Sequence, residues 1–137
     1  MQRLDITPAE IDRLVVAFYE RIRSHETLGP IFNKAIGLDA DSWRHHEAKI
    51  ASFWRGVAGI DRSYAGTPMR VHMENLDVQP ELFPVWLALF RHVANEVLPE
   101  GRAQGICAMA DRIGQGLALG VANGRLKRGA APVFLND

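Results

Sequence analysis

Residues 7–22 read TPAEIDRLVVAFYERI. Thr7 and Glu10 have the spacing of a capping box, and Pro8 falls on the first helical position, where a missing N–H costs nothing. Ile11, Leu14, Val15, Phe18, Tyr19 and Ile22 follow at steps of three and four, the spacing of one helix face. This is an amphipathic helix that fails near Ser24 and His25. Tyr19 is the polar exception on its apolar face.

The rest of the chain repeats that period. Gly29-Pro30 reads as a turn, and Ile31-Phe32 as a short apolar plug before Gly37. Asp39 or Asp41 can cap a helix from about Ser42 to Val57. Gly59 to Gly66 reads as a loop holding Tyr64. Thr67 can cap, and Pro68 can open, a short helix carrying His72; Asn75 to Gln79 reads as irregular. A strongly amphipathic helix is expected from about Pro80 to Val97, with Leu82, Phe83, Trp86, Leu87, Phe90, Val93 and Ala94 on its apolar side. Pro84 fits it only in the first turn. Pro99-Glu100-Gly101 breaks that helix. The last runs from about Arg102 to Ala122, where Gly114, Gly116 and Gly120 cost helix stability but permit close contact. The tail, residues 124–137, reads as irregular. Nothing alternates over the length of a strand, so the fold class is all-α. With no repeat or linker, residues 1–137 read as one domain.

Composition narrows the function. Sixteen basic residues balance sixteen acidic ones, so no net field draws the chain to nucleic acid or to acidic lipid. No apolar run approaches a membrane span. The opening MQRLDITPAE carries charge with no apolar stretch after it, unlike a signal peptide. The single Cys107 excludes an internal disulfide and fits a reducing cytoplasm. The three Trp, six Phe and two Tyr fall nearly all between Phe18 and Phe90.

Polar groups on apolar faces mark the candidate site. Tyr19 is one. His46 heads a stripe that continues through Ile50, Phe53 and Val57. His72 follows Met69 by three residues, so the two share a helix face. Trp86 carries an indole N–H that wants an acceptor if buried. Taken singly, each has an ordinary reading: a satisfied core tyrosine, a surface histidine, an imidazole bonded to a carbonyl, aromatic core. Together, two histidines on separate helices with apolar residues at helical spacing suit a flat apolar ligand held between helices. An imidazole on one side could bind a metal at its centre, which describes haem. There is no repeated Glu-x-x-His for a di-iron site, no clustered Cys/His set for zinc, and no motif around Cys107 for a nucleophile.

FYERIR, LGPIFNKAIG, WRHHEAKIASFW, YAGTPMRVHM and FPVWLALF, in colinear order from about Thr7 to Leu119, resemble the truncated haemoglobins, most closely their third group. The double-glycine signatures of the first two groups are missing before the His72 segment, in keeping with the third. The resemblance implies a two-over-two helical sandwich holding one haem b. It matches His72 to the proximal iron ligand, Tyr19 and His46 to the distal tyrosine and histidine, and Trp86 to the tryptophan facing the bound ligand. Phe32, Ile50, Phe53, Trp54, Tyr64, Met69 and Phe90 match pocket walls. Lys49 and Arg70 are candidate partners for the haem propionates, or simply solvated charges. Burying porphyrin at about 25 cal/mol/Å² would contribute on the order of 10 kcal/mol before costs.

Three functions are compatible with this reading. The first is a haem protein binding O₂, NO, CO or peroxide, with slow O₂ release and redox chemistry on the ligand, such as NO dioxygenase or peroxidase-like detoxification. No flavin or nicotinamide motif is present, so electrons would come from an external reductase. The second is a reversible binding, storage or sensing module. The third is a helical interaction protein with a degenerate pocket.

Overall fold

The computed structural model describes residues 5–64 and 78–130, without the side chains of 125–130. These residues form five helices and no strand: α1 (Pro8–Arg23), α2 (Leu28–Ile36), α3 (Ala40–Val57), α4 (Leu82–Val97) and α5 (Glu100–Ala130). The segment 65–77, which holds Met69, Arg70 and His72, lies outside the description, as do residues 1–4 and 131–137.

α1 begins as its sequence dictates. The Thr7 hydroxyl accepts from the Glu10 N–H at 3.2 Å, and the Glu10 carboxylate accepts from the Thr7 N–H at 2.9 Å. The second Glu10 oxygen accepts from Arg102 Nη1 on α5 at 2.6 Å, so the cap of the first helix is tied to the start of the last. Its apolar face, Ile11 through Ile22, is buried as the spacing predicts.

Three expectations need correction. Gly29 and Pro30 do not form a turn between elements; they lie in the first turn of α2. Proline is tolerated there because its absent N–H has no intrahelical partner to lose. Gly29 is needed for close approach, since a Cβ there would stand 2.9 Å from the Arg23 carbonyl oxygen. α3 starts at Ala40, with Asp39 as its cap; the Asp39 carboxylate accepts from the Ser42 N–H at 2.9 Å. α5 continues to Ala130, past the expected end at Ala122 and through the first residues of the expected irregular tail. A glycine such as Gly124 weakens a helix by about 1 kcal/mol without ending it when the hydrogen-bond ladder continues. Val121 is fully buried, so packing still supports the helix beyond Gly120. Pro84 falls in the first turn of α4, as the sequence requires.

α1 packs on α2, α3 and α4, while α4 packs along α5. The α1–α3 pair thus lies over the α4–α5 pair, a two-over-two sandwich. Gly114 permits the α4–α5 approach: a Cβ there would meet Leu87 Cδ1 at 3.0 Å. The core runs between the layers, from Ile11, Leu14 and Phe18 to Phe90, Val93, Ala94, Ile106 and Ala110.

Candidate functional site

Phe18 sits where the layers meet. It is 1% exposed, and three rings contact it edge-on: Tyr19 at 5.1 Å, Trp86 at 5.2 Å and Phe90 at 5.2 Å between centroids. From Phe90 the cluster stacks onward to Trp86 at 5.3 Å and to Trp54 at 5.4 Å. Phe53 joins Trp54 at 5.4 Å and Tyr64 at 5.3 Å. Tyr19 adds Phe32 from α2 at 6.0 Å. Ile50 is partly buried against the same core. The structure therefore brings Tyr19, Phe32, Phe53, Trp54, Tyr64, Trp86 and Phe90, drawn from four helices and a loop, into one connected group of rings.

The polar end of the group is formed by α1 and α3. The His46 and Tyr19 rings meet nearly perpendicular, at 4.9 Å between centroids and 89°. His46 Nε2 is a buried side-chain atom with no hydrogen-bond partner among the described residues. Burial first, and then the charges of Lys49 and His45, push its pKa down to about 4. The imidazole is neutral at pH 7, with a polar atom free to engage something placed beside it. Burial and the nearby Glu47 push the Tyr19 phenol well above its ordinary range. Tyr19 thus remains an O–H donor across the accessible pH range.

On the solvent side of His46 a cavity of about 450 Å³ is bounded by Ile36, Asp41, Ser42, His45, His46 and Lys49. Lys49 belongs to this mouth and not to the ring cluster, at the edge where a charged side chain keeps its hydration. A second cavity of about 480 Å³, lined by Asp5, Ile6, Pro99, Gly101, Arg102, Gly105 and Ile106, shares no residue with the cluster.

One residue of this site was not singled out from the sequence. Trp43 is 1% exposed and lies 5.9 Å from the His46 ring and 6.1 Å from Tyr19. Its indole N–H donates to the Gly37 carbonyl at 2.8 Å. The available signal was its place three residues before His46, on the same helix face. His72, Met69 and Arg70 lie outside the described residues. No group of three or more His, Cys, Asp or Glu side chains able to hold a metal ion occurs among the described residues. No helix among them is long and apolar enough to cross a membrane.

No family model matches the chain. It is similar to the group 3 truncated haemoglobin ctb of Campylobacter jejuni, with 37% identity over 108 residues, 79% of this chain and 85% of that protein. The crystal structure of a group III truncated haemoglobin from Campylobacter jejuni superposes with a TM-score of 0.79 at 35% identity, covering 86% of this chain and 93% of that one. Similarity of that extent in both sequence and helical arrangement establishes the family: the chain belongs to the group 3 truncated haemoglobins.

Proposed function

We propose that this chain is a haem b protein that binds diatomic ligands and carries out redox chemistry on them, detoxifying NO or peroxide with electrons from a separate reductase. The observation that carries the reading is the neutral, unpartnered His46 Nε2 beside Tyr19, at the end of a connected aromatic cluster. A buried polar atom left without a partner costs free energy unless a ligand satisfies it. The rings supply flat apolar walls, the chemistry a porphyrin needs, so the residues present fit the group. Membership of the truncated haemoglobins supports the same assignment.

Phe32, Ile50, Phe53, Trp54, Tyr64 and Phe90 would form walls of the haem pocket, joined by Met69. Lys49 and Arg70 would face its propionates, and His72 would be the proximal iron ligand. When bound, the haem supplies the iron at which O₂, NO, CO or peroxide is held and through which electrons pass. The chain's own part is electrostatic. Tyr19 keeps its proton and donates a hydrogen bond where negative charge gathers on the ligand. The Trp86 indole N–H is a second donor, from the opposite layer. His46, neutral and close to the solvent-side cavity, adds a polar contact at the mouth. The surrounding rings exclude water, which strengthens each of these bonds. Held this way, an anionic ligand leaves slowly, and slow release favours reaction over carriage.

Haem titration tests the assignment. The wild-type chain is expected to take up one haem with a sharp Soret band and an iron–histidine stretch. His72→Ala should lose tight binding, and His45→Ala, altered at the solvent-side cavity, should keep it. A normal Soret band and an unchanged iron–histidine stretch in His72→Ala would refute the proximal role.

A further inference from the structure

The unpartnered His46 Nε2 raises the question of what holds this ring in place. No hydrogen bond from the described residues anchors that nitrogen. The imidazole instead packs in T-shaped contacts with two rings, Tyr19 at 4.9 Å and Trp43 at 5.9 Å. Trp43 is itself fixed from several sides. Its indole N–H is bonded to the Gly37 carbonyl at 2.8 Å. Gly37 closes α2 with φ +119°, a left-handed conformation that favours glycine. The Arg23 guanidinium, at the end of α1, lies 5.0 Å from the Trp43 ring centroid, a cation–π distance. Tyr19 completes the packing at 6.1 Å. One indole thus joins the ends of α1 and α2 to the face of α3 that bears His46.

We propose that Trp43 is a positioning residue: clamped by Arg23 and the Gly37 carbonyl, it holds the His46 ring against Tyr19 and so sets how often that histidine meets the ligand. The proposal rests on the distal role given to His46 above. Trp43 does not touch the ligand itself and acts through its neighbour. A leucine at position 46 would remove the polar contact altogether. A smaller ring at position 43 would leave His46 present but free to swing toward the solvent-side cavity.

Infrared spectra of the CO complex of the haem-loaded protein separate these cases, because a polar donor near the ligand lowers the C–O stretching frequency. His46→Leu should replace the wild-type band with one at higher frequency, the mark of a ligand without the histidine. Trp43→Phe should retain the wild-type band and gain a second at the His46→Leu position. Arg23→Gln, an exposed change that leaves the indole in place, should populate the same second band to a smaller extent, and decides the matter if Trp43→Phe fails to fold. The double variant Trp43→Phe/His46→Leu should match His46→Leu alone. If His46→Leu shifts the band while Trp43→Phe and Arg23→Gln both keep the wild-type spectrum, the positioning role is overturned and the distal role of His46 stands. If His46→Leu leaves the spectrum unchanged, both roles fall. A double variant that departs from His46→Leu shows Trp43 acting by another route and also overturns the proposal.

Discussion

At the scale of single residues, the proposed chemistry rests on polar groups placed where water is scarce. His46 shows the consequence for acid stability. Burial, with Lys49 and His45 nearby, lowers its pKa to about 4 from an ordinary 6.5. The unfolded chain takes up this proton near pH 6.5, and the folded chain only near pH 4. Stability from neutral His46 is therefore complete above pH 6.5, declines as the pH falls, and levels off below about 4. At about 1.4 kcal/mol for each pH unit, the decline is on the order of 3 kcal/mol. Guanidinium unfolding of wild type and His46→Leu between pH 7 and 4 should show the wild type losing that much relative to the variant; a constant difference would refute the assignment. Tyr19 and His46 stood out as candidates because each interrupts a helical stripe of apolar residues, and the fold places their rings side by side. Trp43 did not stand out, because a tryptophan on such a stripe looks like ordinary core until its neighbours are placed. His25 was also opaque. Its Nδ1 accepts from the Thr27 and Leu28 N–H groups at 3.0 Å each, capping α2 where the sequence shows only the end of α1.

At the scale of elements, apolar period located the helices, and local chemistry set their ends. The Thr7–Glu10 box and the Pro84 first turn follow from side-chain and ring constraints within four residues, so both were readable. The start of α2 is set by the His25 ring, an unusual cap, and the extension of α5 by the burial of Val121, and both boundaries were misplaced. The glycines divide the same way. Gly29 faces backbone: a Cβ at this position would lie 2.9 and 3.2 Å from the Arg23 and Ile22 carbonyl oxygens. Gly116 lies on an exposed side of α5, where a Cβ would meet nothing within 4 Å. Gly116→Ala should therefore raise stability by about 0.5–1 kcal/mol by reducing the freedom of the unfolded chain. Gly29→Ala should lower it by about 1–3 kcal/mol, because backbone must move to admit the methyl. Thermal unfolding of the two variants checks this: equal shifts in Tm would show that helix propensity alone decides both sites.

At the scale of the whole molecule, the two layers matter because each holds one of the two proposed donors. Tyr19 comes from α1 and Trp86 from α4, and both rings lie edge-on to Phe18 between them. The two rings meet on Phe18 only in the assembled sandwich. The sequence order of motifs was enough to foresee that sandwich, whereas the contacts among rings from four helices required the fold. The proposed redox chemistry also has a whole-chain consequence. With no flavin or nicotinamide motif in its sequence, the haem-loaded protein should not consume NADH with O₂ and NO until a reductase is added; rapid consumption without one would contradict the need for a partner. Stabilisation of an anionic ligand by donors from both layers is the central claim. A hydrogen bond to a charged acceptor contributes about 1.5–3 kcal/mol, and about 1.4 kcal/mol corresponds to a tenfold change. The most direct measurement is the pair of O₂ and CO dissociation rates in wild type, Tyr19→Phe, Trp86→Phe and the double variant. Tyr19→Phe should speed O₂ release by roughly tenfold to a hundredfold, Trp86→Phe should act in the same direction, and CO release, which involves little negative charge, should change much less. Unchanged O₂ release in Tyr19→Phe, or equal changes for O₂ and CO, would contradict the electrostatic role of this pocket.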